Sequence, residues 1–385
     1  MFEERTRTLQ ARLADAGLAV ALITDDDSVY YFSGFYDYLH MEFGRPTILA
    51  VSAEDAPVLV TPTIELEMAQ GMTWIEDIRA WQDGEGLEWR GDLQQLIEAA
   101  GSAGIGIERG SMSSLVHDFV HHSVTDSSLT DITSLIAELR MIKSDEELQL
   151  ARHAGQVAMA MMQAGRDAIG EGVPEYEVAL ATAEAGARSA AKLLATHYDD
   201  AWMSPNTHFL QIMASGTNIT MAHRRPTLRQ ITRGDPVFLC FCGMANFHRF
   251  KLGFDRTFWL GEIQDLRQAE IYEVAVASQR AALEQVRSGV LAEEVHGAYA
   301  EVIQAAGYDY PFRCGRATGF SFLERPQLVA GDRTALESGM VFAVDGSVSV
   351  AGYFRAQVGD SVVVTENGYE PITVFPKTIN DVVVG

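Results

Sequence analysis

A helix with a clear start divides this chain. Ser144 is followed three residues later by Glu147, which is the spacing of a capping box at the first turn of a helix. Behind them, apolar residues recur at helical spacing: Leu148, Ala151, Ala154, Val157, Ala158 and Met161. A long helix that begins here predicts a domain boundary near residue 140. The 385 residues are therefore expected to form two domains, 1–140 and 141–385.

The two halves differ in how their apolar segments are arranged. In the first half, short apolar runs alternate with helical segments, which is typical of an α/β domain with a mixed sheet. In the second half, apolar runs lie between groups of helices, which indicates an α+β domain with an antiparallel sheet. The expected strands are 19–24, 46–52, 56–60 and 104–107 in the first half, and 237–242, 254–260, 340–344 and 361–365 in the second.

Composition limits the partners of the chain. Apolar residues make up 47% and charged residues 21%, so a globular fold with a sizeable core is expected. The net charge of −24 repels phosphates and anionic lipids, which argues against nucleic acid and membranes as partners. No apolar run approaches the roughly 20 residues of a membrane helix, and no secretory signal is visible. Three cysteines are too few for a disulfide framework and favour a reducing, cytoplasmic location.

Four polar residues lie in or beside apolar segments, where an unpaired charge is costly. Asp255 lies in one predicted strand, Asp345 ends another, and Arg316 and His223 lie in glycine-rich or turn-like segments. All four are candidate site residues, and each also has a structural interpretation. Asp255 could pair with a neighbouring arginine, Arg316 and Asp345 could form a buried ion pair, and His223 could lie on the surface.

Several motifs, in order, resemble those of the creatinase/prolidase/methionine aminopeptidase superfamily. They are Leu-Arg-Met-Ile-Lys-Ser at 139–144, Ser-Gly-Thr-Asn at 215–218 before His223, Gly-Asp-Pro-Val at 234–237, Arg-Thr at 256–257, Leu-Glu-Ser-Gly-Met-Val-Phe at 336–342 and Thr-Glu-Asn-Gly-Tyr-Glu at 365–370. The resemblance spans nearly the whole chain. It implies an N-terminal creatinase-like α/β domain with a mixed sheet, followed by a catalytic domain with the pita-bread fold.

The metal-ligand positions of that superfamily are altered here. The resemblance implies two metal ions held by two Asp, one His and two Glu, and the matching residues are Cys240, Gly253, Arg316, Asp345 and Gly359. Asp345 keeps a carboxylate, whereas Arg316 brings a permanent cation. Cys240 and Cys242, two residues apart, point to one face of a strand and could form a metal or redox pair, but we interpret them as small core residues. No metal and no other cofactor is therefore expected.

The creatinase-like branch of the superfamily works without these metals, and the chain is similar to it. Phe43 and Arg45 match a segment that, by resemblance, reaches into the neighbouring subunit and holds the substrate carboxylate, which implies a homodimer. His223 matches the general base and acid of that branch. Asp255 and Asp345 match the carboxylates that bind a guanidinium group.

The departures from creatinase concern its substrate. Both carboxylates are Asp rather than Glu, and the second substrate-binding arginine has no clear match, although Arg316 or Arg325 could replace it. The expected function is metal-independent hydrolysis of a non-peptide C–N bond. The substrate is a small, carboxylate-bearing guanidino or amidine-type compound, as in creatinases or ectoine hydrolases. Two alternatives remain: an Xaa-Pro peptidase with atypical metal ligands, and a non-catalytic member that binds a ligand in the same cleft.

Overall fold

Two compact units make up the chain, Met1–Arg140 and Met141–Gly385. The computed structural model describes residues 1–37, 45–124, 129–207, 210 and 212–385. Among these residues, no helix combines the length and the apolar character that crossing a bilayer requires.

The N-terminal unit alternates helices and strands. Its helices are α1 (Phe2–Asp15), α2 (Asp26–Ser33), α3 (Leu66–Met72), α4 (Trp89–Ala99), α5 (Ser114–Ser123) and α6 (Thr133–Met141). Its strands are β1 (Leu18–Ile23), β2 (Ile48–Ser52), β3 (Val58–Pro62), β4 (Asp77–Trp81), β5 (Gly104–Ile107) and β6 (Leu129–Asp131). They form one sheet in the order β4-β3-β2-β1-β5-β6, in which β1 runs antiparallel to β2 and parallel to β5. The predicted α/β unit with a mixed sheet is confirmed.

Apolar periodicity explains how this sheet is covered. Val20 and Leu22 alternate along β1 and therefore point to one face. On α4, Trp89, Leu93 and Ile97 recur every four residues and form one apolar stripe. All five side chains belong to one buried cluster, which joins the sheet to its helical layer.

The C-terminal unit combines two helix pairs with a large curved sheet. Its helices are α7 (Asp145–Ala168), α8 (Glu175–His197), α9 (Leu266–Gln285) and α10 (Ala292–Ala305). Its strands are β7 (Ile212–Ser215), β8 (Pro236–Cys240), β9 (Asn246–Phe247), β10 (Phe250–Lys251), β11 (Asp255–Leu260), β12 (Arg313–Ala317), β13 (Glu324–Val329), β14 (Val341–Val350), β15 (Phe354–Thr365), β16 (Gly368–Pro371) and β17 (Val383–Val384). The main sheet has the order β13-β12-β14-β15-β11-β8-β7, and its path is antiparallel throughout. Helices α7 and α8 pack on each other, and α9 packs on β14 and β15.

The first helix of this unit begins as predicted. The Ser144 hydroxyl accepts a hydrogen bond from the Glu147 amide at 3.3 Å, and the Glu147 carboxylate accepts one from the Ser144 amide at 2.7 Å. The capping box and the long helix behind it are confirmed.

Two strands are longer than their apolar runs predict. The run 340–344 ends before Asp345, yet β14 continues to Val350. The run 361–365 begins after Asp360, yet β15 begins at Phe354. Polar residues interrupt the apolar pattern of both strands because one face of the sheet lines a cavity. Asp345 therefore lies within a strand and not at its end.

Glu108 gives the N-terminal unit a pH-dependent stability. Its carboxylate accepts a hydrogen bond from the Ser28 hydroxyl at 2.8 Å, and the Arg140 guanidinium donates to the same hydroxyl. Burial, reinforced by the charge of Asp25, raises the pKa of Glu108 from 4.5 to about 7, although Arg140 opposes this shift. Between these two pKa values the folded carboxyl keeps a proton that the unfolded chain releases, so the free energy of unfolding falls as pH rises.

We expect Glu108→Gln to remove this dependence. The free energy of unfolding of wild type, relative to the variant, should fall by up to about 3 kcal/mol between about pH 5 and about pH 8. Urea titrations of both proteins at several pH values measure the difference. A constant difference would show that Glu108 titrates alike in the folded and unfolded states.

Candidate functional site

Sheet register brings three of the altered positions and Asp255 into one row. Cys240 on β8 is the partner of Asp255 on β11, and Asp255 is the partner of Gly359 on β15. Gly359 is in turn the partner of Asp345 on β14. Neighbouring strands of a sheet lie about 4.8 Å apart, so these residues form a continuous line across one face. The row is the floor of the candidate site.

Arg316 and Asp345 form an ion pair beside this row. The Arg316 Nη1 lies 3.2 Å from Asp345 Oδ2, and the Arg316 Cζ lies 4.1 Å from the centre of the Phe322 ring. Arg316 is 3% exposed, so these partners offset the cost of burying its charge. Burial opposes its charge, but Asp345 and the nearby thiols raise the pKa of Arg316. Arg316 thus pairs with Asp345, and because it also lines the cavity, its contact with a substrate stays a prediction.

The two glycines of the altered set have no space for a larger side chain. A Cβ atom on Gly359 would lie 2.5 Å from Asp345 Oδ1 and 2.6 Å from Asp255 Oδ2. A Cβ atom on Gly253 would lie 2.6 Å from the Ala343 Cβ and 3.1 Å from Arg316 Nη2. The carboxyl groups of Asp255 and Asp345 therefore lie side by side above Gly359, in space that a side chain at 359 would take.

The donor set at the five positions does not fit a pair of metal ions. Two positions are glycines without a donor, and a third is a guanidinium, which has no lone pair to offer. Cys240 is a buried thiol, and Asp345 is engaged by Arg316. A dication placed among these groups would also be repelled by Arg316.

Asp255 is fully buried and does not line the cavity above the floor. Its Oδ2 accepts a hydrogen bond from the Gln357 side-chain amide at 2.8 Å, and its Oδ1 has no partner among the described residues. The neighbouring Arg256 pairs instead with Asp360 at 2.6 Å. Burial and the nearby charge of Asp345 raise the pKa of Asp255 well above its usual range. Burial raises the pKa of Asp345 as well, but there the Arg316 guanidinium opposes the shift, so a proton shared by the pair is favoured on Asp255.

A cavity of about 600 Å³ opens above the floor. Asp345, Arg316 and His223 all line it, so the structure brings together three residues singled out from the sequence. His223 follows the 3₁₀ turn Gly216–Thr220, and its side chain is exposed at the cavity surface. The walls are rich in aromatic rings, namely Phe238, Tyr299, Tyr308, Tyr310, Phe312 and Phe322.

Two residues of the site were missed by sequence reasoning, Arg355 and Gln357. Both line the cavity, and Arg355 donates a hydrogen bond to the Gln357 side-chain oxygen. Gln357 in turn donates to Asp255, so a polar chain runs from the cavity to the buried carboxyl group. The spacing along β15 could have pointed to both residues. Side chains two positions apart in a strand share one face, and Arg355 and Gln357 therefore lie on the same face as Gly359.

The remaining predicted residues are not among those that line this cavity, or they lie outside the described structure. Arg325 is exposed on β13 and is not among the residues that line the cavity. Arg45 lies in the N-terminal unit, where its guanidinium pairs with Asp83. Phe43 lies outside the described residues. Cys242, interpreted as a core residue, is partly exposed and lines the cavity.

Comparison with known proteins establishes the family. Residues 149–366 match metallopeptidase family M24, and residues 5–142 match the creatinase/prolidase N-terminal domain. The chain belongs to family M24. A creatinase from a Bacillus species is 30% identical to this M24 chain over 399 residues, covering 97% of the chain and 91% of the relative. An agropine synthesis cyclase from Rhizobium rhizogenes is 28% identical, covering 97% and 96%.

A solved structure supports the same assignment for the fold of the M24 chain. A dipeptidase from Pyrococcus horikoshii OT3 superposes with a TM-score of 0.82 at 28% identity, covering 98% of this chain and 99% of that one. The predicted superfamily is confirmed, and the C-terminal unit is a pita-bread domain. The M24 chain departs from the expected metal ligands while it keeps the fold that carries them.

Gly359 is expected to be intolerant of substitution. In Gly359→Ala, the new methyl group would collide with both floor carboxyl groups, and overpacking of this kind costs about 1–3 kcal/mol. The matched control is Gly368→Ala on β16, where a Cβ atom meets open space and the cost should stay below about 1 kcal/mol. Urea denaturation of both variants measures the two costs. Equal stability of Gly359→Ala and wild type would contradict the described packing of the floor.

Proposed function

We propose that this M24 chain is a metal-independent hydrolase of a non-peptide C–N bond. Its substrate is a small compound that carries a guanidino or amidine-type cation and a carboxylate. The observation that carries the proposal is the Arg316–Asp345 ion pair, because it places fixed protein charges where the resemblance expects metal ions. The similarity to a creatinase over 97% of the chain supports the same class of reaction.

Asp345 is the group that would receive the substrate cation. Its Oδ2 is engaged by Arg316, while its Oδ1 is buried and has no hydrogen-bond partner among the described residues. A carboxylate oxygen in this state is stabilised by a planar cation that donates hydrogen bonds to it. Asp255 lies beside Asp345 over Gly359, and its raised pKa favours the protonated form, which adds no second negative charge.

Two arginines of the cavity would receive the substrate carboxylate. Arg313 and Arg355 both line it, and the Arg355 Nη1 is buried with no partner among the described residues. The planar fork of a guanidinium binds a carboxylate through two parallel hydrogen bonds. The Arg355 Cζ also lies 4.8 Å from the centre of the Phe238 ring, which holds the guanidinium over one wall.

His223 is the proposed general base and acid. Imidazole titrates near neutral pH, so one residue can take a proton from water and later give it to the leaving nitrogen. Its place on the cavity surface leaves it accessible to both water and substrate.

Arg45 and Phe43 are proposed to complete the site of a neighbouring subunit in a homodimer. This role rests on the resemblance to creatinases, in which the matching segment holds the substrate carboxylate. Within one chain, Arg45 is held by Asp83, so delivery to a partner's site requires that this ion pair open. Arg325, exposed on β13, stays a weaker candidate for substrate contact than Arg355.

A second candidate is an Xaa-Pro peptidase, favoured by the superposition on a dipeptidase structure. Its chemistry would require metal binding by a donor set that contains Arg316. Hydrolysis of Xaa-Pro dipeptides that is abolished by a chelator and restored by Mn²⁺ would favour this candidate. A third, a non-catalytic ligand-binding protein, would bind such cations without turnover.

A hydrolysis screen tests the proposal. Purified protein is incubated with guanidino acids, cyclic amidines that carry a carboxylate, and Xaa-Pro dipeptides, and the released amine is measured. We expect turnover of a guanidino or amidine compound, insensitive to EDTA.

His223→Ala should lower kcat by about 10²–10⁴-fold, because proton transfer in both directions is lost. His121→Ala, an exposed histidine of the other unit, is the matched control and should retain activity. Turnover that survives in His223→Ala would remove His223 from the mechanism.

A further inference from the structure

Cys242 differs from the other two cysteines of the chain in its exposure. Cys240 and Cys242 both line the cavity, and Cys314 does not. Cys240 and Cys314 are 2% and 0% exposed, whereas Cys242 is partly exposed, so Cys242 is the more accessible thiol of the cavity. It lies just beyond the end of β8, next to the floor row.

Arg316 and Cys240 both contact the Cys242 sulfur. The Arg316 Nη2 lies 3.5 Å from it, and the Cys240 sulfur lies 2.7 Å from it, a pair in which either thiol can donate. The contact with Cys240 and the Arg316 charge lower the pKa of Cys242, while burial and the charge of Asp345 oppose them. The same contact and burial raise the pKa of Cys240, which favours the proton on Cys240. Such surroundings favour the thiolate, which is the nucleophilic form of cysteine.

An independent feature shows what kind of molecule would meet this sulfur. One oxygen each of Asp255 and Asp345 is buried without a partner among the described residues. A carboxyl oxygen of Asp255 and the two sulfur atoms of Cys240 and Cys242 lie within 4.8 Å of one another. Arg316 joins Asp345 to Cys242, since one nitrogen contacts each. An amidine-type cation that donates hydrogen bonds to Asp345 would therefore place its central carbon near the Cys242 sulfur.

We propose that Cys242 is a second catalytic residue, which forms a covalent bond to the amidine-type carbon of the substrate. This rests on the proposed function and deepens it, because it assigns the first attack on carbon to sulfur instead of water. Covalent catalysis of this kind divides one difficult step into two easier ones.

The steps balance without any other reactant. The Cys242 thiolate adds to the cationic carbon and forms a C–S bond. Protonated His223 gives its proton to the leaving nitrogen, the C–N bond breaks and the amine departs, which leaves a sulfur-linked cation. Water gives a proton to His223 and adds to the same carbon. The C–S bond then breaks, the thiolate returns, and the product releases its remaining proton to solvent.

The cluster of Cys240, Cys242 and Asp255 suits a nucleophilic thiolate better than a metal ion. Cys240, Cys242 and Asp255 offer three ligands, as a zinc site with one open position would. However, the guanidinium of Arg316 already contacts Cys242 and would face the incoming ion. The positive charge of Arg316 therefore disfavours a metal ion at these three ligands.

Selective alkylation tests the proposal without knowledge of the substrate. The full-length protein is treated with 2-chloroacetamidine, a cationic electrophile, or with its neutral analogue 2-chloroacetamide. Adducts are counted by intact mass and located by peptide mapping. We expect one adduct, on Cys242. For each thiol, the labelling rate with 2-chloroacetamidine is divided by the rate with 2-chloroacetamide. This ratio should be about tenfold higher for the protein than for free cysteine, because Asp345 attracts the cationic reagent.

Variants identify the groups responsible. Cys242→Ser should abolish the adduct, and Asp345→Asn should bring the rate ratio back towards that of free cysteine. Cys314→Ala, a buried cysteine outside the cavity, is the control and should react as wild type does. Because Asp345→Asn could disturb folding, the pH dependence of 2-chloroacetamide labelling in wild type is measured as well. Labelling should begin at lower pH than for free cysteine.

The outcomes separate this proposal from the proposed function. An adduct on Cys240 or Cys314, a rate ratio equal to that of free cysteine, or hydrolysis that Cys242→Ser retains in full would overturn the nucleophile. Tight binding of Zn²⁺ that prevents labelling would overturn it also, in favour of a metal site. Hydrolysis that depends on His223 but not on Cys242 would leave the proposed function standing alone.

Discussion

A buried ion pair between Arg316 and Asp345 is the interaction on which the site of this chain depends. A guanidinium that is 3% exposed is costly to bury without a partner, and removal of one partner from such a pair typically costs about 3–5 kcal/mol. Phe322 covers one face of the guanidinium, and its two terminal nitrogens contact Asp345 and Cys242. The pair gives the floor of the cavity a fixed geometry that needs no further ion.

The rest of the floor follows from this pair. Burial raises the pKa of Asp345 and the Arg316 guanidinium opposes that shift, so a second full negative charge beside Asp345 would be costly. Asp255 is the neighbour, and burial together with the charge of Asp345 raises its pKa well above its usual range. Gly359 makes the arrangement possible, because a side chain there would take the space of both carboxyl groups. Ionisation of Asp255 at high pH would place two like charges over Gly359 and weaken the floor.

Local sequence signals predicted the fold of this chain well. The capping box at Ser144 located the start of α7, and the motif resemblance identified the pita-bread domain. Asp345, Arg316 and His223 were found because charged or titratable residues in apolar or glycine-rich surroundings are conspicuous, and the structure places them around one cavity.

Other parts of the site could not be predicted because they depend on contacts between distant strands. Asp255 is buried beneath Gln357, a contact across 102 positions of the chain. Arg256 pairs with Asp360 rather than with Asp255, although the latter is its neighbour in sequence. Arg355 and Gln357 carry no motif, and only the two-residue period of β15 connects them with Gly359. The exposure of Cys242 depends on the end of β8, which the apolar run did not reveal.

The most direct test of the central claim is a crystal structure of the protein grown in excess Mn²⁺, with anomalous data that locate the metal. The account predicts density for the Arg316 guanidinium against Asp345 and no anomalous peak between Asp345 and Gly359. Two peaks about 3.5–4 Å apart in that space, with Arg316 displaced, would contradict it.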